Sequence, residues 1–424
     1  MPVHTNVVCC LCGCLCDDLV IETAEDRIVR VERACPEGAV QLQKISQAHA
    51  PTATCDGRPS SHATAIDKAV RLLRESRAPL IFGLQASTTE DQRQAIELAE
   101  HLGAVMETSG SHFTRSFLLA FQQAGLSTCT LGEVRQRADL ILFWGADPVR
   151  THPRLIERLL QADSEFLPRG RADRTLIAVN DRETSSPEFA DVTIPLAPGR
   201  HPDALAAIRR WIQNPAWQPM PAIDLPLSSL QSLARKMAAC RYGMLFFGEE
   251  LAAGPSSPYT MESLIRLVTD LNAFTRFSAR PLSQPGAEQV LTWQTGYPVA
   301  VDFQQGFPRY QPGEFSADDL LARGDVDCCL LVGSPSLVNL SPAAMQRLHT
   351  IPTIVLDPPA TNCPFVPQVR LTTAFPGVQS AGTAYRMDGI ALPLRSLCAS
   401  ASPATAIVLR EIMDRIKAAS ETPV

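Results

Sequence analysis

The residues best equipped for chemistry crowd the N-terminus of this chain. Five of its thirteen cysteines fall within the first sixteen residues, in V-V-C-C-L-C-G-C-L-C-D-D. Cys9, Cys12, Cys16 and the later Cys35 follow the spacing C-x2-C-x3-C-x18-C. Three thiolates on one short loop plus one remote thiolate suit a [4Fe-4S] cluster, which takes four cysteine ligands. Two other readings stay open. Zinc could sit on some four of the six cysteines, Cys10 and Cys14 included, because tetrahedral four-cysteine sites tolerate many spacings. The thiols could also be free, as a reducing cytoplasm allows. A bound cluster would pin a loop-rich N-terminus with little core of its own. Electron relay would need a second redox centre.

The rest of the chain must position this loop and any partner site. With 45% hydrophobic and 19% charged residues over 424 positions, the chain can bury ample core for two to three domains. The net charge of −6 makes nucleic acid a poor partner. There is no apolar run of eighteen residues and no membrane span is expected. The start, M-P-V-H-T-N, lacks the charged and apolar regions of a secretion signal. An odd cysteine count gathered at one end does not resemble a disulfide framework, so the cytoplasm is the expected location.

Apolar runs at 19–22 and 28–32 predict a hairpin that returns the chain to Cys35. Beyond it, strands and helices alternate: a helix over 64–76, a strand over 79–83 and a Thr-capped helix over 88–102. This alternation predicts parallel sheets covered by helices. An internal repeat points to two such units. D-L-I-L-F-W-G at 139–145 matches D-C-C-L-L-V-G at 327–333. Each is followed by a helix, by a strand ending in an acid (Asp181, Asp357), and by a short strand before Pro-Gly. The expected architecture is therefore α/β: a small N-terminal cysteine-rich Fe-S-type subdomain (1–57) and two related parallel-sheet, Rossmann-like α/β domains (58–213 and 227–424), whose elements can interdigitate. The proline-rich stretch 214–226 is the expected boundary.

Ligands of open parallel sheets sit at the carboxyl ends of the strands. Gly145, Asp147, Asp181, Arg182, Gly333 and Ser334 fall there. Each taken alone also fits an ordinary strand-end turn. The sequence holds no G-x-G-x-x-G, P-loop, H-E-x-x-H or G-x-S-x-G. His152 reads as a loop surface residue. His112, in T-S-G-S-H-F-T-R, reads as part of a site loop or a helix cap.

Together these stretches resemble the B subunit of formylmethanofuran dehydrogenase: Cys9-x2-Cys12-x3-Cys16-Asp-Asp, C-T-L-G-E-V at 129–134, F-W-G-A-D-P at 143–148 with His152-Pro-Arg154, and P-G-V-Q-S-A-G-T-A-Y-R-M-D-G at 376–389. N-D-R-E-T at 180–184 is similar to the wider molybdopterin oxidoreductase superfamily. The resemblance covers nearly the whole chain. It implies a [4Fe-4S] cluster on Cys9, Cys12, Cys16 and Cys35, and a tungsten or molybdenum bis-pterin guanine dinucleotide (molybdopterin guanine dinucleotide) in a cleft that Gly145, Asp147, Arg154, Asp181, Gly333 and Ser334 would line. It also implies a cysteine or selenocysteine on the metal.

Counted back from Cys129, that ligand position falls near Phe113, in the loop with Ser109, Ser111 and His112, and no cysteine occurs between Cys55 and Cys129. Phenylalanine cannot ligate these metals, which take a soft thiolate or selenolate here. The departure resembles the bacterial formyltransferase/hydrolase complex, which moves a formyl group from a tetrahydromethanopterin carrier to a methanofuran-like one and hydrolyses it to formate. The expectation is a scaffold that has lost its metal-pterin, partnered by an amidohydrolase-like A subunit, a C subunit and a formyltransferase. The competing expectation is an active tungsten or molybdenum formate-forming enzyme with a non-cysteine ligand among Ser109, Ser111 and His112. A third is a free-standing binding module for a nucleotide or pterin.

Overall fold

The computed structural model describes residues 1–48, 50–108, 111–160, 164–219, 224–254, 256–283, 286–359 and 361–421. The chain divides into two compact units, and neither is a continuous segment. The larger comprises Met1–Ser111, Gln284–Arg386 and Ala391–Val424; the smaller comprises His112–Ser283 and Met387–Ile390.

The larger unit opens with an antiparallel sheet of β1 (Val3–Val7), β2 (Leu19–Ala24) and β3 (Arg27–Glu32). The expected hairpin is β2–β3, turning at Glu25-Asp26 in left-handed backbone. The three strands cluster with the larger unit rather than as a compact unit of their own.

Among the described residues, that unit's main sheet has nine strands. They are β4 (Ala53–Cys55), β5 (Arg58–Pro59), β6 (Pro79–Gly83), β7 (Val105–Glu107), β13 (Val301–Asp302), β14 (Arg309–Tyr310), β15 (Cys328–Val332), β16 (Thr353–Asp357) and β17 (Val369–Thr372), in the order β14-β13-β7-β6-β15-β16-β17-β4-β5. The five central strands, β7 to β17 in that order, are parallel; β13, β14, β4 and β5 extend the sheet antiparallel at its two ends. Strand β15 shows why such strands read as plain apolar runs. Cys328, Leu330 and Val332 enter one core and Cys329 and Leu331 the other, because side chains alternate across a sheet buried on both faces. A last hairpin pairs β18 (Gly382–Tyr385) with β19 (Ala391–Leu394).

The smaller unit holds an all-parallel sheet of β8 (Leu140–Trp144), β9 (Thr175–Asn180), β10 (Val192–Pro195), β11 (Tyr242–Phe247) and β12 (Arg276–Pro281), in the order β10-β9-β8-β11-β12. This is the 3-2-1-4-5 order of a doubly wound fold. The larger sheet repeats it in β17-β16-β15-β6-β7, with the last two strands supplied from earlier in the chain. The internal repeat is thus a repeat of sheet position.

The expected boundaries at 58–213 and 227–424 do not follow the sheets. Strand β6 pairs with β15, Cys328 opposite Pro79, and β11 pairs with β8, Gly243 opposite Leu140. Buried parallel strands carry little in their composition to specify which neighbour they join. Among the described residues no helix is long and apolar enough to cross a membrane.

Candidate functional site

The cysteine loop joins β1 to β2. It is closed by Cys9 N–H on Cys16 O (2.8 Å) and Leu15 N–H on Cys12 O (3.2 Å), with Leu15 fully buried in left-handed backbone. Cys35 N-caps the helix Pro36–Gln47, and its Sγ accepts from Gly38 N at 3.3 Å. A helix N-terminus favours a thiolate there. A Cβ on Gly38 would lie 3.0 Å from that sulfur, so the close approach depends on glycine. Cys9, Cys10, Cys14 and Cys16 are buried; Cys12 and Cys35 are half-buried.

Cys9, Cys12, Cys16 and Cys35 share one electrostatic field. Burial first, and then neighbouring cysteines including Cys12 and Cys16, push the Cys9 thiol well up. Burial raises Cys35, and Cys12 and Cys16 add to it. Cys12 is lowered to about 7 by a hydrogen bond from Cys14. Among the described residues no three cysteine sulfurs lie within 4.8 Å of one another. Sulfurs bound to one zinc at its usual bond length would be about 3.8 Å apart.

In the smaller unit the strand order reverses between β8 and β11, the place where open sheets bind ligands. A cavity of about 280 Å³ opens there, lined by Gly145, Asp147, Arg150, Arg182, Gly248 and Glu250 among others. Gly145 has φ +59°, and a Cβ on it would come 2.9 Å from Leu251 and 3.0 Å from Glu250. The lining carries four carboxylates (Asp147, Glu183, Glu249, Glu250) against two guanidiniums (Arg150, Arg182), an unfavourable balance for phosphate.

Asp181, His201 and Glu250 converge beside this cavity, their ligand-type atoms within 4.8 Å of one another. His201 is buried, with Nε2 at 3.4 Å from Asp181 Oδ2 and 3.7 Å from Glu250 Oε2. The spread matches a three-ligand metal site, but the histidine is turned the wrong way. Trp144 Nε1–H donates to His201 Nδ1 at 3.0 Å. Indole is only a donor, so Nδ1 carries no proton and the neutral ring keeps its proton on Nε2, where a metal would need the lone pair. Burial raises the Asp181 pKa, but the Gly199 N–H, the hydrogen bond with Glu250 and the Arg182 guanidinium outweigh it and hold the carboxyl below its usual value.

Of these three, the sequence points to Asp181 but to neither His201 nor Glu250. No motif links them, and Glu250 lies 69 residues beyond Asp181, whose N–H it accepts at 3.0 Å.

Gly333 and Ser334 belong to the larger unit, where Ser334 N and Oγ both donate to the fully buried Asp357, at 2.8 and 2.5 Å. Arg154 is buried and engages Glu157 at 2.8 Å; it does not line the cavity. His152 is not a surface residue: it is 1% exposed, between Thr151 Oγ1 (2.9 Å) and Ser283 O (3.4 Å), because its loop folds inward after β8. Burial lowers its pKa to about 4. Phe113 is the second residue of the helix His112–Ala124 and is 5% exposed, its ring centroid 6.1 Å from that of Phe247. Ser111 is half-buried, His112 is exposed, and Ser109 lies outside the described residues.

No protein-family model matches the chain. It is 36% identical over 409 residues to the B subunit of the tungsten-containing formylmethanofuran dehydrogenase 2 of Methanocaldococcus jannaschii, covering 94% of both chains. It is 32% identical to the Methanococcus maripaludis counterpart, again over 94% of both. The B subunit of the formyltransferase/hydrolase complex of Methylorubrum extorquens is 28% identical, over 76% of this chain and 85% of that one. Two solved structures share the fold. A chain of the M. extorquens formyltransferase/hydrolase complex, crystallised with methylofuran, has TM-score 0.71 at 24% identity, covering 87% of this chain and all of that one. Acetylene hydratase from Pelobacter acetylenicus has TM-score 0.70 at 13% identity, covering 98% of this chain and 69% of that one. On the full-length identity to the methanogen proteins, this chain belongs to the family of formylmethanofuran dehydrogenase B subunits.

Proposed function

We propose that this chain is the B subunit of a formyltransferase/hydrolase complex, a scaffold with a degenerate metal-pterin site beside subunits that carry the chemistry. Phe113 carries the reading. Near the position where the family places a thiolate or selenolate stands a phenyl ring with no donor atom, packed against Phe247. A metal-pterin does not fit these residues, and no step runs through it. Formyl transfer followed by hydrolysis to formate needs no net electron transfer, so a scaffold suffices. An amidohydrolase-like A subunit, a C subunit and a formyltransferase are the partners this reading requires.

Two further observations support a degenerate cleft. Arg154 spends its guanidinium on Glu157, and the crevice at β8 and β11 is lined by excess carboxylate.

The cysteine loop, by contrast, fits a [4Fe-4S] cluster. Cys9, Cys12, Cys16 and Cys35 would hold it, and their spread is wider than one zinc takes. Such a cluster supplies one-electron chemistry when bound; here its role is to pin the loop.

One observation favours a second reading, an active tungsten or molybdenum enzyme with a non-cysteine ligand: the higher identity is to the tungsten-containing relatives, 36% against 28%. Elemental analysis of the anaerobically purified complex separates the two. About four irons per chain without tungsten or molybdenum is expected. Stoichiometric tungsten or molybdenum with pterin would overturn the scaffold reading.

A further inference from the structure

We infer that Cys10 is a positioning residue for the cluster loop: a fifth cysteine that ligates nothing and ties the loop to the turn at 375–380. The inference rests on the cluster reading above. Cys10 is 5% exposed, and its thiol donates to Pro376 O at 3.0 Å, 366 residues away in sequence. Cys10 stands outside the C-x2-C-x3-C-x18-C spacing, and its sulfur is spent on a backbone carbonyl of the distant turn.

The turn is built to be rigid. Phe375 O accepts from the N–H groups of Val378, Gln379 and Ser380, at 3.3, 2.8 and 3.2 Å. Gln379 returns its Oε1 to Phe375 N at 3.0 Å, and Gly377 N–H closes on Ser380 O at 2.8 Å. Val378 O accepts from Leu397 and Cys398 N–H, at 2.8 and 2.9 Å. Gly377 has φ +77°, a conformation side chains resist. A Cβ built on it would lie 3.5 Å from Val8 O and 3.6 Å from Cys10 Sγ. The turn therefore bears on Val8 and Cys10 together, the two residues that flank the ligand Cys9. The P-G-V-Q-S start of the late motif thereby gains a physical role as the anchor against which Cys9 is held. Residues that support a metal ligand from outside typically change metal retention by 10–100-fold.

The test uses the full chain in its anaerobically purified complex, with Cys10→Ala, Cys10→Ser, Gly377→Ala and the ligand variant Cys9→Ser. Three quantities are read: iron per chain, the rate of iron release to a chelator, and the electron paramagnetic resonance of the reduced cluster. Cys10→Ala is expected to keep its iron on purification but release it roughly tenfold faster, with altered g-values. Cys10→Ser, which keeps a donor, should lie between it and wild type. Gly377→Ala should shift retention in the same direction through the other partner. Cys9→Ser should fall below four irons from the start. A wild-type release rate and spectrum in both Cys10→Ala and Gly377→Ala would overturn the proposal. So would iron loss in Cys10→Ala as complete as in Cys9→Ser, which would make Cys10 a ligand. Iron-free wild-type protein would overturn the cluster reading itself, and the proposal with it, and is seen before any variant is made.

Discussion

Asp139 and Asp327 do the same work in two different sheets. Asp139 precedes β8, and its carboxylate accepts from the backbone N–H groups of Arg241 (3.0 Å) and Tyr242 (2.9 Å) at the entry of β11. Asp327 precedes β15 and accepts from Arg77 (2.8 Å) and Ala78 (3.1 Å) at the entry of β6. In each sheet the clamped strand is the parallel neighbour across the reversal in strand order. The far ends of the strands agree as well. Asn180 Oδ1 accepts from Ala146 N (3.0 Å) as Asp357 Oδ1 accepts from Ser334 N (2.8 Å).

This pairing predicts a double dissociation in hydrogen exchange. Removing a charged acceptor from two amides costs about 2 kcal/mol, or roughly thirtyfold in protection where opening is local. Asp327→Ala should deprotect 77–83 and leave 241–247 intact; Asp139→Ala should do the reverse. Equal loss at both strands in either variant would mean the clamps are not local.

His152 predicts an acid-side loss of stability. Its pKa falls from 6.5 to about 4 on folding, chiefly through burial. Between those values the unfolded chain binds a proton that the folded chain does not. Stability is therefore full above about pH 6.5 and falls as the pH drops toward 4, by about 3 kcal/mol at most. Urea unfolding of wild type and His152→Gln across this window checks it. The slope should flatten in the variant, and an unchanged slope would remove His152 as the cause.

Trp144 predicts a latent metal site. Trp144→Phe removes the N–H that fixes the His201 tautomer. His201 can then carry its proton on Nδ1 and offer Nε2 to the cavity beside Asp181 and Glu250. Cobalt(II) titration followed by visible absorption should show binding in Trp144→Phe, weakened by His201→Ala in the same background, and none at this site in wild type. Wild-type binding abolished by His201→Ala would refute the tautomer argument.

Phe113 predicts a large packing cost. Phe113→Ala at a site 5% exposed should destabilise the smaller unit by about 3–5 kcal/mol, and Phe113→Leu by far less. Exchange of the helix His112–Ala124 and thermal unfolding read this out. A cost below about 1 kcal/mol would mean that the ring faces an open cleft, and would weaken the scaffold reading.

Much of this was legible in the chain. The cysteine spacing, the β2–β3 hairpin and the repeat at 139–145 and 327–333 rest on local signals, and they appear as a tight loop, an antiparallel pair and two matching strands. That Phe113 offers no donor atom was readable because residue identity alone decides it. The cap of the helix over 88–102 was equally local: Thr88 closes a capping box with Asp91.

Partnership was not legible. A strand buried on both faces reads as an apolar run, which carries no record of its neighbour, so only the tertiary structure joined β6 to β15 and β11 to β8. The meeting of Asp181, His201 and Glu250 has the same cause, since strand ends distant in sequence become adjacent only through that pairing. The burial of His152 was decided there too, by the path of a loop after β8. Residue identity determined what each group can donate, accept or ligate; folding decided which of those capacities are spent inside the protein and which remain to be offered.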